Sequence, residues 1–174
     1  MIARRNFLGA AAALASATLL QACITTEPTA DVVGVGYQLA EDLTGQLSGK
    51  LPADAVVLAT TFTPADRGNA GTPFGRILGE HVASRFTRAG FRVVETRLRD
   101  SIEVNGRGRF ALSDDVASLA RQVYARAVIV GTYVDAPRYA LVNARVIDVE
   151  TGTVLAAADA KIDVSRHDRP LLRP

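Results

Sequence analysis

The chain has 174 residues, and its apolar share of 48% and charged share of 22% suit one globular domain and argue against disorder throughout. Of its 20 basic residues, Arg4 and Arg5 lie in the first 22 positions, where no acidic residue occurs, so 18 basic and 18 acidic residues remain from Cys23 onward. A neutral domain lacks the clustered positive charge that nucleic-acid binding requires. The sequence therefore predicts no nucleic-acid partner.

The first 22 residues have the three zones of a secretory signal. Arg4 and Arg5 supply the positive start, residues 7–20 (FLGAAAALASATLL) form an apolar stretch, and Ala22 supplies a small residue before Cys23. The apolar stretch is short and rich in alanine, whereas a membrane span takes about 20 strongly apolar residues. We therefore expect residues 1–22 to act as a cleaved signal peptide.

The single cysteine of the chain indicates which kind of signal this is. Leu20-Gln21-Ala22-Cys23 resembles the lipobox of bacterial lipoproteins. The resemblance implies that the Cys23 thiol receives diacylglycerol, that the chain is cut before it, and that the new amine is acylated. The alternative is a lone cysteine at the end of an ordinary signal. The predicted site residues are Cys23 for lipidation and Arg4, Arg5, Leu20 and Ala22 for signal recognition.

The export route and the target membrane follow from the same segment. Residues 4–8 (RRNFL) resemble the twin-arginine export signature, with an ordinary Sec signal as the alternative. Several acyl chains on Cys23 give a stable anchor in membrane lipid. Ile24 follows Cys23, whereas an aspartate there tends to retain lipoproteins in the inner membrane of enteric bacteria. We therefore expect the periplasmic face of the outer membrane, with the inner membrane left open.

The mature chain divides into a tether over residues 23–34, a globular domain over 35–164 and a flexible tail over 165–174. Within the domain, hydrophobic periodicity predicts three helices. The first carries a stripe of Val35, Leu39, Leu43 and Leu47 and ends near Gly49. The second begins with Thr72 as N-cap and Pro73 at its first position, and Gly90 closes it. The third is capped by Ser113, with Asp114 and Asp115 in its first turn.

The strands are predicted from short apolar runs and from alternation. Residues 55–62 and 91–95 form buried strands, and residues 127–134 (AVIVGTYV) form the central one. Residues 102–112 suggest a small hairpin with a tight turn at Asn105-Gly106. Residues 139–149 and 154–162 form an antiparallel hairpin in which Asn143 and Arg145 face away from the core. The fold class is therefore α/β (α+β), with three helices on a mixed sheet of about four to five strands.

These segments together resemble a known family. Residues 90–100 (GFRVVETRLRD), residues 129–133 (IVGTY) and residues 142–156 (VNARVIDVETGTVLA) are similar to the FlgO-type domain of outer-membrane lipoproteins over about residues 39–163. Similar layouts occur in the periplasmic domain of CsgG-type secretion lipoproteins. The resemblance implies a non-enzymatic, accessory or structural component of an envelope assembly, with protein partners. Founding members of the family are linked to the flagellum and motility, although motility does not follow for this chain.

Few residues indicate catalytic, metal-binding or ligand-binding chemistry. His81 and His167 are the only histidines, and we interpret His81 as a packing residue on its helix. No metal-binding or catalytic motif occurs, so we expect no enzyme, no cofactor and no metal. The Gly68–Thr72 loop precedes a helix, where free amides could hold an anion. A periplasmic ligand-binding module unrelated to flagella is therefore the alternative function. The oligomeric state is left open, with a homo-oligomer among the options.

Overall fold

The computed structural model describes residues 30–66, 71–96, 102–104, 110–112 and 114–174. In chain order, the elements are α1 (Val32–Gln46), β1 (Val56–Ala59), β2 (Thr63–Pro64), α2 (Pro73–Arg88), β3 (Arg92–Glu95), β4 (Ile102–Val104), β5 (Phe110–Leu112), α3 (Asp114–Gln122), β6 (Ala127–Asp135), β7 (Tyr139–Asp148), β8 (Val154–Asp163) and a 3₁₀ helix (Arg169–Leu172). The predicted fold class is confirmed.

The main sheet is mixed and open, with strand order β3-β1-β6-β7-β8, and the two-residue β2 lies beside the end of β6. The pairs β1–β3, β1–β6 and β2–β6 are parallel, whereas β6–β7 and β7–β8 are antiparallel. The predicted central strand is therefore at the centre. Strands β4 and β5 pair antiparallel with each other as a separate small sheet, as the sequence predicts, although residues 105–109 lie outside the described residues.

Helices α1 and α2 cover one face of the sheet and form the larger core with it. The predicted stripe of α1 is confirmed for Leu39, Leu43 and Leu47, which are all about 1% exposed or less. Across the sheet, this core takes the alternate residues of the three long strands, namely Ala127, Ile129, Tyr133, Ala140, Val142, Ala144, Val146, Ala156, Ala158 and Ile162. Alternation places every second strand residue on the same face, so the other set faces the opposite side.

Helix α3 packs on the opposite face and covers only half of it. Its buried residues Val116 and Ala120 join a second core with Leu58, Val128 and Ile147. Those partners belong to β1, to the first part of β6 and to the last part of β7. Within the described chain, no helix covers the other half of this face, where β6 ends, β7 begins and β8 runs beside them. That uncovered half becomes the candidate binding surface below.

The ends of α2 follow the predicted chemistry. The Thr72 hydroxyl accepts a hydrogen bond from the Gly75 amide (3.1 Å), and Pro73 occupies the first turn. Gly90 has φ +100°, a conformation that glycine adopts without a steric penalty, so the chain can reverse into β3. His81 lies on the α1 side of α2, with its ring 5.9 Å from the Tyr37 ring. This contact agrees with its interpretation as a packing residue.

A buried aspartate builds the turn between β7 and β8. Asp148 Oδ1 accepts hydrogen bonds from the Glu150 amide (2.9 Å), the Thr151 amide (2.8 Å) and the Thr151 hydroxyl (3.1 Å). The Thr151 amide is the main cause that holds the pKa of Asp148 below its ordinary value, against the opposing effect of burial. The carboxylate therefore fixes the predicted hairpin turn at residues 150–153.

Two expectations are corrected by the fold. The first strand ends at Ala59 rather than at Phe62, because the Phe62 amide donates to the Gly75 carbonyl of α2 (3.1 Å) instead of to a strand. The last ten residues, predicted to be a loose tail, are packed against the domain. Their 3₁₀ helix buries Leu172 (1% exposed) in the larger core, and Arg169 pairs with Asp135 at 2.6 Å.

Candidate functional site

The uncovered half of the sheet forms a polar-rimmed apolar surface that we name the open face. It consists of Thr132, Val134, Leu141, Asn143, Asp159 and Lys161, around a groove of 480 Å³. Val134 and Leu141 are direct cross-strand partners and are 44% and 48% exposed. The pair forms a small exposed apolar centre surrounded by polar side chains, which makes the open face a candidate binding surface.

The rim of the open face is held in place by pairing between strands. Asn143 Nδ2 donates to Asp159 Oδ1 at 2.5 Å, directly across the β7–β8 pair. This hydrogen bond restrains the rotamers of both side chains, so this part of the rim has a defined shape in the domain itself. The sequence placed Asn143 and Arg145 on the outer face of β7, and the structure confirms that placement.

The outer edge of β8 is partly covered by α1. The Gln46 side chain donates to the Ala157 carbonyl (2.8 Å) and accepts from the Ala157 amide (3.2 Å), as a neighbouring strand would. Lys50 Nζ donates to the Leu155 carbonyl (2.6 Å). Unpaired strand edges recruit other strands, so these contacts block strand addition at the start of β8. At the start of β8, the edge backbone is therefore already hydrogen-bonded within the domain.

The second candidate feature is the end of the sheet at which the chain enters the domain. We name it the tether end: residues 30–31, the β6–β7 turn (residues 135–139) and residues 163–174. The Ala30 amide donates to Asp168 Oδ2 at 3.0 Å, which joins the first described residue to the C-terminal segment. The same oxygen accepts from the Ser165 amide (3.0 Å) and from the Ser165 hydroxyl (2.8 Å).

Asp168 is 6% exposed, and its ionisation state follows from these contacts. Burial alone raises the pKa of Asp168, but hydrogen bonds from Ser165 and from the Ala30 amide lower it by more, so the pKa lies below its ordinary value. The carboxylate is therefore charged at neutral pH. No periodicity or motif in the sequence points to Asp168, and its only local signal is the Ser165-x-x-Asp168 spacing, which is common in turns.

The residues predicted for export and lipidation lie outside the described residues. Cys23, Arg4, Arg5, Leu20 and Ala22 all precede Ala30, so cleavage and acylation stay predictions. Ser113 and residues 68–70 of the predicted anion-binding loop also lie outside. Across the described ranges, no helix is long and apolar enough to cross a membrane.

The start of α2 offers few free donors to an anion. Pro73 has no N–H, and the Gly75 amide donates to the Thr72 hydroxyl. The Arg76 amide donates to the Thr72 carbonyl (3.1 Å), and the Thr72 hydroxyl also contacts the Tyr133 hydroxyl at 2.5 Å. These bonds satisfy most of the helix terminus internally, which leaves little of the anion site that the sequence suggested.

A small pocket of 240 Å³ lies beside α2 instead. It is lined by residues at the C-terminal ends of β1 and β3 and on α2, including Thr60, Arg76, Glu80 and Glu95. β1 lies between β3 and β6, and the helices that lead to those two strands pack on opposite faces. Where the connections of neighbouring parallel strands lie on opposite faces of an open α/β sheet, a crevice forms at the carboxyl ends of the strands. Ligands usually bind in this crevice.

Comparison with solved structures establishes the fold. The LpoB C-terminal domain from Salmonella enterica aligns with a TM-score of 0.50 at 13% identity, covering 75% of this chain and 97% of that chain. The LpoB C-terminal domain from Escherichia coli aligns with a TM-score of 0.50 at 14% identity, covering 78% and 99%. Lipoprotein GNA1162 from Neisseria meningitidis gives a TM-score of 0.42 at 18% identity, covering 67% and 84%.

Sequence comparison establishes the family. No curated protein matches the chain by sequence. The family model described as FlgO protein matches residues 37–167, which include every long element of the sheet, helix α2 and most of α1. The likeness in layout to CsgG-type lipoproteins stays a prediction. Because the match spans most of the chain and agrees with the motifs in residues 90–100 and 142–156, the chain belongs to the FlgO protein family.

Proposed function

We propose that this protein is a non-enzymatic accessory component of an envelope assembly, anchored by acylated Cys23 at the periplasmic face of the outer membrane. The observation that carries the proposal is the FlgO family match over residues 37–167, combined with the lipobox-like residues 20–23 that precede it. The tether end supports it, because the hydrogen bond from Ala30 to Asp168 fixes where the anchored segment joins the domain.

Mass spectrometry of the intact protein, purified in detergent from membranes of its own cells, tests the anchor. We expect a mass that lacks residues 1–22 and carries acyl groups, and we expect Cys23→Ser to abolish both changes. Conservative replacement of Ala10, within the apolar stretch, by valine serves as the control and should leave processing intact. Recovery of the native protein unmodified, with its first methionine, would exclude the proposed anchoring.

We further propose that the partner is an envelope protein that binds the open face. The exposed Val134–Leu141 pair supplies the apolar centre, and Asn143, Asp159 and Lys161 supply the polar rim. Gln46 and Lys50 cover the start of β8, so the contact surface is made of side chains rather than of strand backbone. A partner that binds here covers the Val134–Leu141 pair with apolar side chains and offers polar groups to the rim.

Replacing Leu141 by aspartate is expected to abolish co-purification of the partner after cross-linking in intact cells. A carboxylate at the centre of an apolar contact loses its hydration and gains no opposite charge or hydrogen bond in exchange. This cost weakens binding by at least about tenfold. Leu141 is 48% exposed, so the free energy of unfolding should change by no more than about 1 kcal/mol. Quantitative mass spectrometry of the cross-linked complexes measures the loss, and urea unfolding checks the stability.

Val33→Asp is the matched control for this experiment. Val33 is 46% exposed, but it lies on α1, away from the open face. Its replacement should leave the cross-linked complexes unchanged. Equal recovery of the partner with Leu141→Asp and with the native chain would contradict the assignment of the open face.

A second candidate function, binding of a small ligand, is favoured by the pocket beside α2. Arg76, Glu80 and Glu95 bring charges of both signs to the carboxyl ends of two parallel strands. A thermal-shift screen of the purified protein with anions, nucleotides and glycans tests this function. A stabilising anion or nucleotide should lose its effect in Arg76→Gln, which removes the cation of the pocket, and the absence of any shift across the screen would remove the candidate.

A further inference from the structure

A groove of 670 Å³ at the tether end has an excess of positive charge. Its ionisable lining consists of the cationic side chains of Arg138, Lys161 and Arg166 and the carboxylate of Asp163. Lys161 Nζ lies 3.1 Å from Asp163 Oδ1 and 5.2 Å from the centre of the Tyr139 ring, so its charge is already matched. Arg138 and Arg166 are exposed and form no ion pair with any described residue. Two guanidinium groups are therefore available to a ligand.

The hydrogen bonds of the domain place this groove beside the entry of the anchored segment. The Val164 amide donates to the Arg138 carbonyl (2.9 Å), which joins the two sides of the groove. Ser165 and Ala30 both donate to the Asp168 carboxylate, so the groove and the first described residue belong to one hydrogen-bonded unit. Ala30 follows Cys23 by seven positions, a separation of at most about 25 Å in a fully extended chain.

The opposite end of the sheet lies much farther from any anchor. Strands β7 and β8 each have ten residues and run from the tether end to the turn at residues 150–153. At about 3.3 Å per residue, that turn lies roughly 30 Å away from the groove. In an upright orientation, with the tether end toward the bilayer, only the tether end lies within reach of the lipid headgroups.

We propose that this groove binds the phosphate of an anionic phospholipid, which sets the domain upright with its tether end on the bilayer. The inference rests on the proposed function, because it requires the acylated Cys23. Guanidinium groups match phosphate oxygens in pairs of parallel hydrogen bonds, and Arg138 and Arg166 can supply two such groups. The orientation leaves the open face perpendicular to the membrane and accessible to a partner in the periplasm.

Fluorescence quenching in vesicles tests the orientation. Because Cys23 is the only cysteine and acylation consumes its thiol, an introduced cysteine is labelled alone. His167→Cys carries a fluorophore at the tether end, and Ser48→Cys carries it just after α1, at the opposite end. The acylated full-length lipoprotein is reconstituted into phosphatidylcholine vesicles or into an equal mixture with phosphatidylglycerol, each with a quencher on the lipid headgroup.

We expect the label at position 167, but not the label at position 48, to be quenched more strongly in the anionic vesicles. Each basic residue at an anionic surface strengthens association by about fivefold. Arg138→Glu with Arg166→Glu should therefore lower the upright population by more than tenfold and return quenching to the level of neutral vesicles. The matched control, Arg92→Glu with Arg121→Glu, makes the same charge change on exposed residues at the other end and should have no effect.

The outcomes separate the inference from the proposed function. A protein that carries no acyl mass and is not retained by vesicles overturns the anchor, and the inference falls with it. An acylated, retained protein with equal quenching in both vesicles, or with equal quenching at both labels, overturns the inference alone. Inorganic phosphate at constant ionic strength should weaken the anionic effect, because it competes for the same two guanidinium groups. An anionic effect that saturating phosphate leaves unchanged would show attraction to surface charge alone and would overturn the inference.

Discussion

Replacing Gly75 by alanine is expected to lower the free energy of unfolding by about 3 kcal/mol, the upper range for overpacking a core. A Cβ on Gly75 would lie 1.9 Å from the carbonyl oxygen of Phe62, which is backbone and cannot rotate away. The added methyl group must push α2 from the sheet, which also strains the hydrogen bond from the Phe62 amide to the Gly75 carbonyl (3.1 Å). Urea unfolding, followed by circular dichroism, measures the change.

The same substitution in α1 is the control. Gly45 is an exposed helical residue, and a Cβ there meets no atom within 4 Å. Gly45→Ala should raise the free energy of unfolding by about 0.5–1 kcal/mol, because alanine has less backbone entropy to lose and a higher helix propensity. A loss below about 1 kcal/mol in Gly75→Ala would mean that α2 can shift at little cost, contrary to the close packing described above.

Replacing Asp168 by alanine is expected to lower the free energy of unfolding by about 3 kcal/mol. One carboxylate oxygen accepts three hydrogen bonds, from the Ala30 amide and from the Ser165 amide and hydroxyl, and alanine leaves all three donors without it. A hydrogen bond to a charged acceptor contributes about 1.5–3 kcal/mol to the free energy of unfolding. Three bonds that share one oxygen together contribute less than three times that amount. Hydrogen exchange should show that the amides of Ala30 and Ser165 lose protection in this variant.

Asp168→Asn separates the charge from the geometry. An asparagine oxygen can replace Oδ2 and keep the three donors, so we expect a loss of only about 1–2 kcal/mol at pH 7. The pKa of Asp168 is lowered in the folded state, so its ionisation contributes stability above its unfolded pKa of about 3.9. That contribution disappears as the pH falls through the folded pKa. The difference between native chain and Asp168→Asn should therefore shrink from pH 7 to acid pH.

Asp163→Asn controls for the removal of a carboxylate at the same end of the domain. Its side chain is 70% exposed and pairs with Lys161 on the surface, so the free energy of unfolding should change by less than about 0.5 kcal/mol. A constant difference between the native chain and Asp168→Asn across the pH range would show that the Asp168 charge does not couple to folding.

Local patterns predicted most of the secondary structure because each depends on a short stretch of chain. The apolar stripe of α1 and the alternation of β7 and β8 each follow from a fixed period that faces one core. The cap of α2 is a hydrogen bond between residues three positions apart. The same patterns predicted that β6 lies at the centre of the sheet and that Asn143 lies on the outer face of β7. The prediction for residues 55–62 was partly wrong, because a long-range bond from Phe62 to α2 ends β1 at Ala59.

The docking of the C-terminal segment could not be predicted in this way. Residues 165–174 contain charged and turn-forming residues with no clear periodicity, which led to the prediction of a loose tail. Asp168 instead binds the Ala30 amide, 138 positions earlier in the chain, and Leu172 enters the larger core. A contact at such separation leaves no local pattern, because the two partners meet only after the sheet has formed.

The sequence by itself determined the equal numbers of basic and acidic residues from Cys23 onward, and it predicts the export signal and the lipobox, which stay predictions. A charge count and a short motif depend only on which residues are present and on their spacing along the chain. Only the tertiary structure decided that α3 covers half of its face, that no other described helix covers the open face, and that Arg138 and Arg166 line one groove at the tether end. The physical reason is that elements far apart in the chain must pack together before a surface is covered or charges from two turns meet. The periodicity of one element does not indicate which elements pack beside it.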